Sequence, residues 1–180
     1  MRTERCAQRD IGRALARRCR GFEMRVLAYD PIADPAYAAA ERIELVEIED
    51  VFREADFVSV HAPHSPETDK LVNRERLALM KPSAFLINTA RGGLVDENAL
   101  IEALTAGTIA GAGLDVFEVE PLPADSALRA LPNVVLTPHC AGGSISAVAM
   151  MTERCVDNIL AIRDGRSPGD EFLLNPEVLR

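Results

Sequence analysis

"SAFLINTARGGLVDENALIEALTAG" (residues 83–107) reads as a strand, a turn and a helix in direct succession. Its first eight residues read as a strand around the apolar stretch 84–87, the pattern of a short strand covered on both faces. Arg91, Gly92 and Gly93 follow at the C-terminal end, where glycine lets the backbone turn and a ligand come close. Asp96 stands where a helix cap belongs, the helix runs to Ala106, and Gly107 suits a left-handed stop. A second apolar run, "IAGAGLDV" (109–116), comes directly after. A strand, a helix and a second strand at this spacing mean parallel pairing through a right-handed crossover.

The same alternation extends both ways. Toward the N-terminus, Ile11 to about Gly21 has helical spacing, with Ile11, Leu15 and Cys19 four apart. Met24 to Tyr29 is an apolar strand, broken by Pro31 and Pro35. A brief helix follows from Ala36 to about Arg42, then a short strand at Leu45 and Val46 and an acidic helix in "EIEDVFREA" (47–55). "DFVSVHAP" (56–63) is a strand and "HSPETDKLV" (64–72) a polar loop. Asn73 can cap a helix that reaches Met80 and stops before Pro82. Toward the C-terminus, "EPLPADSALRALP" (120–132) is a proline-punctuated loop with a short helix. "NVVLTP" (133–138) is the last strand, and Ser144 to Arg163 a long helix. The fold class is α/β, a Rossmann-type doubly wound parallel sheet.

Composition excludes several functions. A formal charge of −8 over 180 residues argues against nucleic-acid binding, which needs basic patches. The one basic cluster, Arg13 to Arg20, reads as the solvated face of a helix. Cys6, Cys19, Cys140 and Cys155 have no CxxC spacing, so neither zinc nor a disulfide framework is indicated. Buried or half-buried free thiols in a reducing compartment are expected. The N-terminus has Arg and Glu where a signal peptide needs an apolar stretch, and no apolar run approaches a membrane span. A cytoplasmic protein with no membrane partner is expected.

Ligands of an open parallel sheet bind at the carboxyl ends of its strands. The polar residues there are Asp30, His61, Arg91, Asp115 with Glu118 and Glu120, and His139. Asp30, eighteen residues after Gly12, can accept both ribose hydroxyls of an adenosine and repel a 2′-phosphate; it can equally cap the turn at Pro31. The Arg91 guanidinium can hold a carboxylate through two parallel hydrogen bonds. His139 suits proton transfer near neutral pH, and a carboxylate on its far nitrogen would fix its tautomer. Both Glu118 and Glu120 are candidates for that carboxylate. His61 and His64 are separated by the strand direction and the polar loop, so no metal site is expected.

Three ordered segments carry a family resemblance. "INTARGGLVDENALIEAL" (87–104), "AGAGLDVFEVEPLP" (110–123) and "NVVLTPHCAGGS" (133–144) resemble the signatures of the D-isomer-specific 2-hydroxyacid dehydrogenases. That family includes 3-phosphoglycerate, glycerate, hydroxypyruvate and D-lactate dehydrogenases. The resemblance implies NAD as cofactor, a small 2-hydroxy or 2-oxo acid as substrate, and a homodimer formed through the cofactor domain. It implies a catalytic set of Arg91 for the substrate carboxylate, His139 as the acid–base and Glu120, rather than Glu118, as its partner. Hydride transfer between C2 of the hydroxy acid and the nicotinamide is the implied reaction. The implied cofactor-binding residues are Asp10, Ile11, Gly12, Asp30, Ala62, Pro63, Thr89, Ala90, Arg91, Asp115, His139, Ala141 and Gly142, with Asp115 at the nicotinamide end.

The chain also departs from the family. The fingerprint opens with an apolar strand and three glycines, but only Gly12 is present; Ala7 and Arg9 stand where the others belong. "TERCAQR" (3–9) is too polar for a central parallel strand, so the sheet is expected to lack its first central strand. Residues 1–9 are expected to be non-homologous, from a frameshift, a mis-called start or a broken gene that rejoins the family frame near Asp10. The expected organisation is a truncated NAD-binding domain over 1–163 and a tail over 164–180 that would pack on a substrate domain this fragment lacks. Specificity among 2-hydroxy acids lies largely in that domain. Weakened cofactor binding is expected, and the alternative reading is an inactive remnant or an NAD-binding or dimerisation module.

Overall fold

A computed structural model describes residues 4–169 and residue 172; for residues 4–9 it describes the backbone alone. The expected tail therefore lies, from residue 170 onward and apart from Phe172, outside the described residues. The elements run α1 (Glu4–Arg20), β1 (Val26–Ala28), α2 (Pro35–Ala40), β2 (Ile43–Leu45), α3 (Ile48–Glu54) and β3 (Phe57–Val60). They continue through α4 (Arg74–Leu79), β4 (Phe85–Asn88), α5 (Glu97–Thr105), β5 (Gly111–Leu114), β6 (Val134–Leu136) and α6 (Ile145–Arg163), with 3-10 turns at Gly92–Leu94 and Ala127–Ala130.

Local chemistry sets these boundaries. The side chains of Asp34, Asn73, Asp96 and Ser144 each accept an amide two or three residues on, capping α2, α4, α5 and α6. Gly107 takes φ +68° directly after α5, the left-handed stop its position called for. All strand pairing is parallel. The sheet is divided: β1 pairs only with β2, while β3, β4, β5 and β6 form a second sheet in that order. Among the described residues no strand lies between β1 and β3, as the polar "TERCAQR" stretch predicts.

That stretch does something else. From Glu4 it is helical, so α1 begins before Ile11, where helical spacing first shows. Nor is the arginine face of α1 free in water. The Arg13 guanidinium lies 3.9 Å over the Tyr37 ring, Arg17 donates to the Tyr37 hydroxyl, and Arg20 pairs with Glu41 at 3.0 Å. The helix is clamped onto α2 by its charges. The thiols differ as well: Cys19 is half-buried, whereas Cys140 and Cys155 are exposed.

The core belongs to the four-stranded sheet. Leu77, Leu86, Leu94, Leu100, Ile109 and Leu128 are all essentially inaccessible. β1 and β2 contribute no fully buried side chain. Stability therefore falls unevenly, because a segment with few buried apolar contacts opens at lower free energy. Amide exchange is expected to be at least about tenfold faster in β1 and β2 than in β4 and β5. Equal protection would show that the two sheets open as one unit.

Candidate active site

The carboxyl ends of β3 to β6 gather the polar residues on one edge. β4 ends in Asn88, which is buried yet polar. Its Oδ1 accepts the Ala90 amide at 3.0 Å and its Nδ2 donates to the Arg91 carbonyl at 2.9 Å. Asn88 thus moulds the turn that presents Arg91. Gly92 completes it, since a β-carbon there would lie 1.9 Å from the Phe117 carbonyl oxygen. The Arg91 side chain is exposed and donates to the Ala90 carbonyl at 2.6 Å. It is close enough to Glu120 to favour that carboxylate's charged form.

Asp115 directly follows β5 and is 3 % exposed and fully engaged. Its Oδ1 accepts the Thr137 hydroxyl at 2.5 Å and the Cys140 amide at 2.8 Å; its Oδ2 accepts the Ala141 amide at 2.9 Å. Burial alone would push its pKa up. The Thr137 hydroxyl, the two amides and nearby His139 outweigh that and hold it below the usual carboxylate range. The resemblance implied an acid facing the nicotinamide. The geometry shows an acid that pins the loop after β6 from beneath.

That loop carries His139, in a left-handed conformation at φ +53°. Its amide donates to the Asp115 carbonyl at 2.8 Å. The imidazole Nδ1 lies 2.7 Å from Glu120 Oε2, and Glu120 Oε1 accepts the Phe117 amide at 3.1 Å. The His139 contact first, and that amide second, lower the Glu120 pKa. Glu118 turns away: it accepts the Glu97 amide at 3.3 Å, and Glu97 returns the contact. Position in the sequence left both glutamates open; the geometry selects Glu120.

The other expected positions spread along the same edge. Ala62 and Pro63 follow β3, Thr89 and Ala90 follow β4, and Ala141 and Gly142 follow His139. His61 is half-buried, its Nε2 lies 2.9 Å from the Ser59 hydroxyl, and burial lowers its pKa. Asp30 follows β1 and accepts the Ile32 amide at 3.0 Å, so it does cap its turn. It also lines a hollow of about 480 Å³ with Ala28, Tyr29, Pro31, Leu45, Val46 and Glu47. Asp10, Ile11 and Gly12 lie inside α1, where the helix ladder already engages the backbone amides. Among the described residues, no three His, Cys, Asp or Glu side chains gather as metal ligands, and no helix is long and apolar enough to cross a membrane.

A parallel α/β sheet with a carboxylate-held imidazole and a turn-mounted guanidinium on its carboxyl edge has the layout of a Rossmann-type domain, whose ligands bind at that edge. Comparison with known proteins narrows this. Residues 9–141 match the model of the D-isomer specific 2-hydroxyacid dehydrogenase NAD binding domain. A glyoxylate reductase of Korarchaeum cryptofilum is 45% identical over 170 residues, which are 94% of this chain and 51% of that protein. A D-lactate dehydrogenase of Lactobacillus jensenii, solved with NAD+, superposes on 88% of this chain and 51% of its own at TM-score 0.81 and 36% identity. A D-isomer specific 2-hydroxyacid dehydrogenase of Lactobacillus delbrueckii, also solved with NAD, gives TM-score 0.80 at 37% identity over 88% of this chain and 52% of its own. The chain belongs to the D-isomer-specific 2-hydroxyacid dehydrogenase family, through its NAD-binding domain. It spans about half the length of these relatives.

Proposed function

We propose that this chain is the cofactor-side half of an NAD-dependent oxidoreductase acting on the CH–OH group of a D-2-hydroxy acid. The observation that carries the reading is the 2.7 Å contact between His139 Nδ1 and Glu120 Oε2, on the same edge as Arg91. Glu120 fixes the proton on Nδ1, which leaves Nε2 to accept the substrate hydroxyl proton, and it stabilises the imidazolium that results. In the reverse direction Nε2 returns the proton to the C2 oxygen. Arg91 holds the substrate carboxylate. When bound, NAD supplies the hydride acceptor.

The residues fit the cofactor unevenly. The hollow at Asp30 suits an adenosine, and its carboxylate disfavours a 2′-phosphate. Ala62, Pro63, Thr89, Ala90, Ala141 and Gly142 would line the cleft toward His139. Gly12 offers no free amide to a pyrophosphate, because α1 starts eight residues earlier, about 12 Å further out along its axis. Weak cofactor binding follows. That observation also favours a second reading, an NAD-binding or dimerisation module without turnover.

Reduction of glyoxylate or hydroxypyruvate, followed by loss of NADH absorbance, separates the two. Consumption of NADH above the buffer rate supports the enzyme; NADH binding with no consumption selects the module. The free thiols Cys19, Cys140 and Cys155 fit a reducing, cytoplasmic compartment. Ile145, Met150, Met151 and Ile159 stand exposed along α6 and favour a homodimer. Light scattering is expected to show twice the chain mass, and a monomer would remove the dimer from the proposal.

A further inference from the structure

The loop after β3 is bound to the turn that carries Arg91. The Lys70 amide donates to the Gly93 carbonyl at 2.8 Å, the Val72 amide to the Leu94 carbonyl at 2.8 Å, and the Asp96 amide to the Val72 carbonyl at 2.9 Å. Thr68 draws the loop itself tight: its hydroxyl donates to the Pro63 carbonyl at 2.6 Å and accepts the Ser65 amide at 2.9 Å. Residues 64–72 and 91–96 thus make one strip of bonded backbone.

His64 sits at the join of loop and turn. Its Nε2 lies 2.8 Å from Asp69 Oδ1. The same ring lies against Gly93, where an added β-carbon would come within 2.6 Å of both Cε1 and Nε2. The three atoms nearest that carbon all belong to the imidazole, so glycine at 93 leaves the room that the ring takes. The neighbouring Gly92 abuts the Phe117 carbonyl in the same way. The turn is therefore gripped twice, by Phe117 at one glycine and by His64 at the next. Arg91 directly precedes both, so the seat of the turn sets where its guanidinium reaches.

Histidine changes charge between about pH 5 and 8, and a charge-assisted hydrogen bond is roughly twice as strong as a neutral one. Protonation of His64 therefore tightens its hold on Asp69. The two side chains are 43% and 53% exposed, so the gain is that of a surface ion pair, about two- to fivefold in an equilibrium. The other charged groups around the join are Glu67 and Lys70 in the loop, Arg91 and Asp96 in the turn, and Glu120 beyond Arg91. Lys70 and Asp96 stand 3.7 Å apart and link loop to turn a second time.

We infer that His64, held by Asp69 and seated on Gly93, is a positioning residue for Arg91. Its protonated form fixes the Arg91 turn against the loop and so strengthens binding of a substrate carboxylate. The carboxylate rests on the proposed role of Arg91; the bracing of the turn does not.

The test uses the whole chain, isotopically labelled, with His64→Gln, Gly93→Ala and the double variant each compared with the unaltered chain at the same pH. The titration of His61, His139 and the carboxylates then cancels. His64→Gln keeps a donor for Asp69 and gives up the charge, whereas Gly93→Ala pushes the ring off its seat. At about pH 6, exchange of the Lys70, Val72 and Asp96 amides is expected to be about two- to fivefold faster in each single variant, and no faster in the double. Near pH 8 the difference between His64→Gln and the unaltered chain should shrink, as the imidazole loses its charge. Glyoxylate, followed through the Gly92 and Gly93 amide shifts, should bind about two- to fivefold more weakly to His64→Gln at the lower pH, and almost equally at the higher. Unchanged exchange at the lower pH, the same difference at both pH values, or additive losses in the double variant overturn the inference. So does glyoxylate that binds equally to all forms while exchange differs, because the ring then braces the turn without positioning Arg91. Exchange that responds as expected, with no glyoxylate bound by any form, leaves the brace standing and counts against the carboxylate reading.

Discussion

Replacing His139 by alanine is expected to remove NADH-dependent reduction of 2-oxo acids while leaving the fold intact. Proton transfer by a positioned side chain contributes about 10²–10⁴-fold in rate, and a loss of that size is the expected result. The side chain is exposed and its ring is held by Glu120, so unfolding free energy should move by less than about 0.5 kcal/mol. Glu120→Gln keeps an acceptor for Nδ1–H but gives up the charge that stabilises the imidazolium, so it should lie between the two. The pH profile gives a further check. Because contact with His139 lowers the Glu120 pKa in the folded chain, its charge is present above the ordinary glutamate value and is lost only as pH falls through the lower, folded one. The acid limb due to Glu120 is therefore expected below about 4.3. Unchanged turnover in His139→Ala would remove His139 from the reaction.

The second large effect concerns Asp115. Asp115→Ala removes the one buried carboxylate that the Thr137 hydroxyl and the Cys140 and Ala141 amides share. A hydrogen bond to a charged group contributes about 1.5–3 kcal/mol. Loss in that range is expected in urea unfolding, with loss of activity as the His139 loop comes free. Asp115→Asn should also destabilise, since its amide group points a donor at donors. The folded pKa is lowered, so the stabilisation is complete above about 3.9 and disappears as pH falls through the folded value. Acid sensitivity in that window should weaken in Asp115→Asn. A cost below about 1 kcal/mol for Asp115→Ala would mean the loop is held by other contacts.

Helix caps, parallel pairing and the reactive edge were legible because each rests on local chemistry. Asn73 and Asp96 stand one residue before their helices, and Arg91 and His139 follow apolar runs directly. What was hidden depends on partners distant in the chain. Glu118 and Glu120 share an acidic stretch, and only the path after β5 turns one toward His139 and the other toward Glu97. Asn88 passed as the tail of an apolar strand. A polar residue closing such a run just before an Arg-Gly-Gly turn was the available signal for its role in shaping that turn. Asp115 looked like a ligand because it ends a strand, whereas its oxygens are committed to the next loop. The early start of α1 was legible in principle: Glu, Arg, Ala and Gln favour helix, and no proline interrupts them. The single glycine drew the reading toward a phosphate turn instead.

Titrating the chain with NADH in a calorimeter tests the cofactor-side reading most directly. The expected result is saturable binding with Kd of about 0.1–1 mM, weaker than a completed phosphate cradle would give, and further weakened in Asp30→Ala. No heat of binding up to about 10 mM NADH would contradict it.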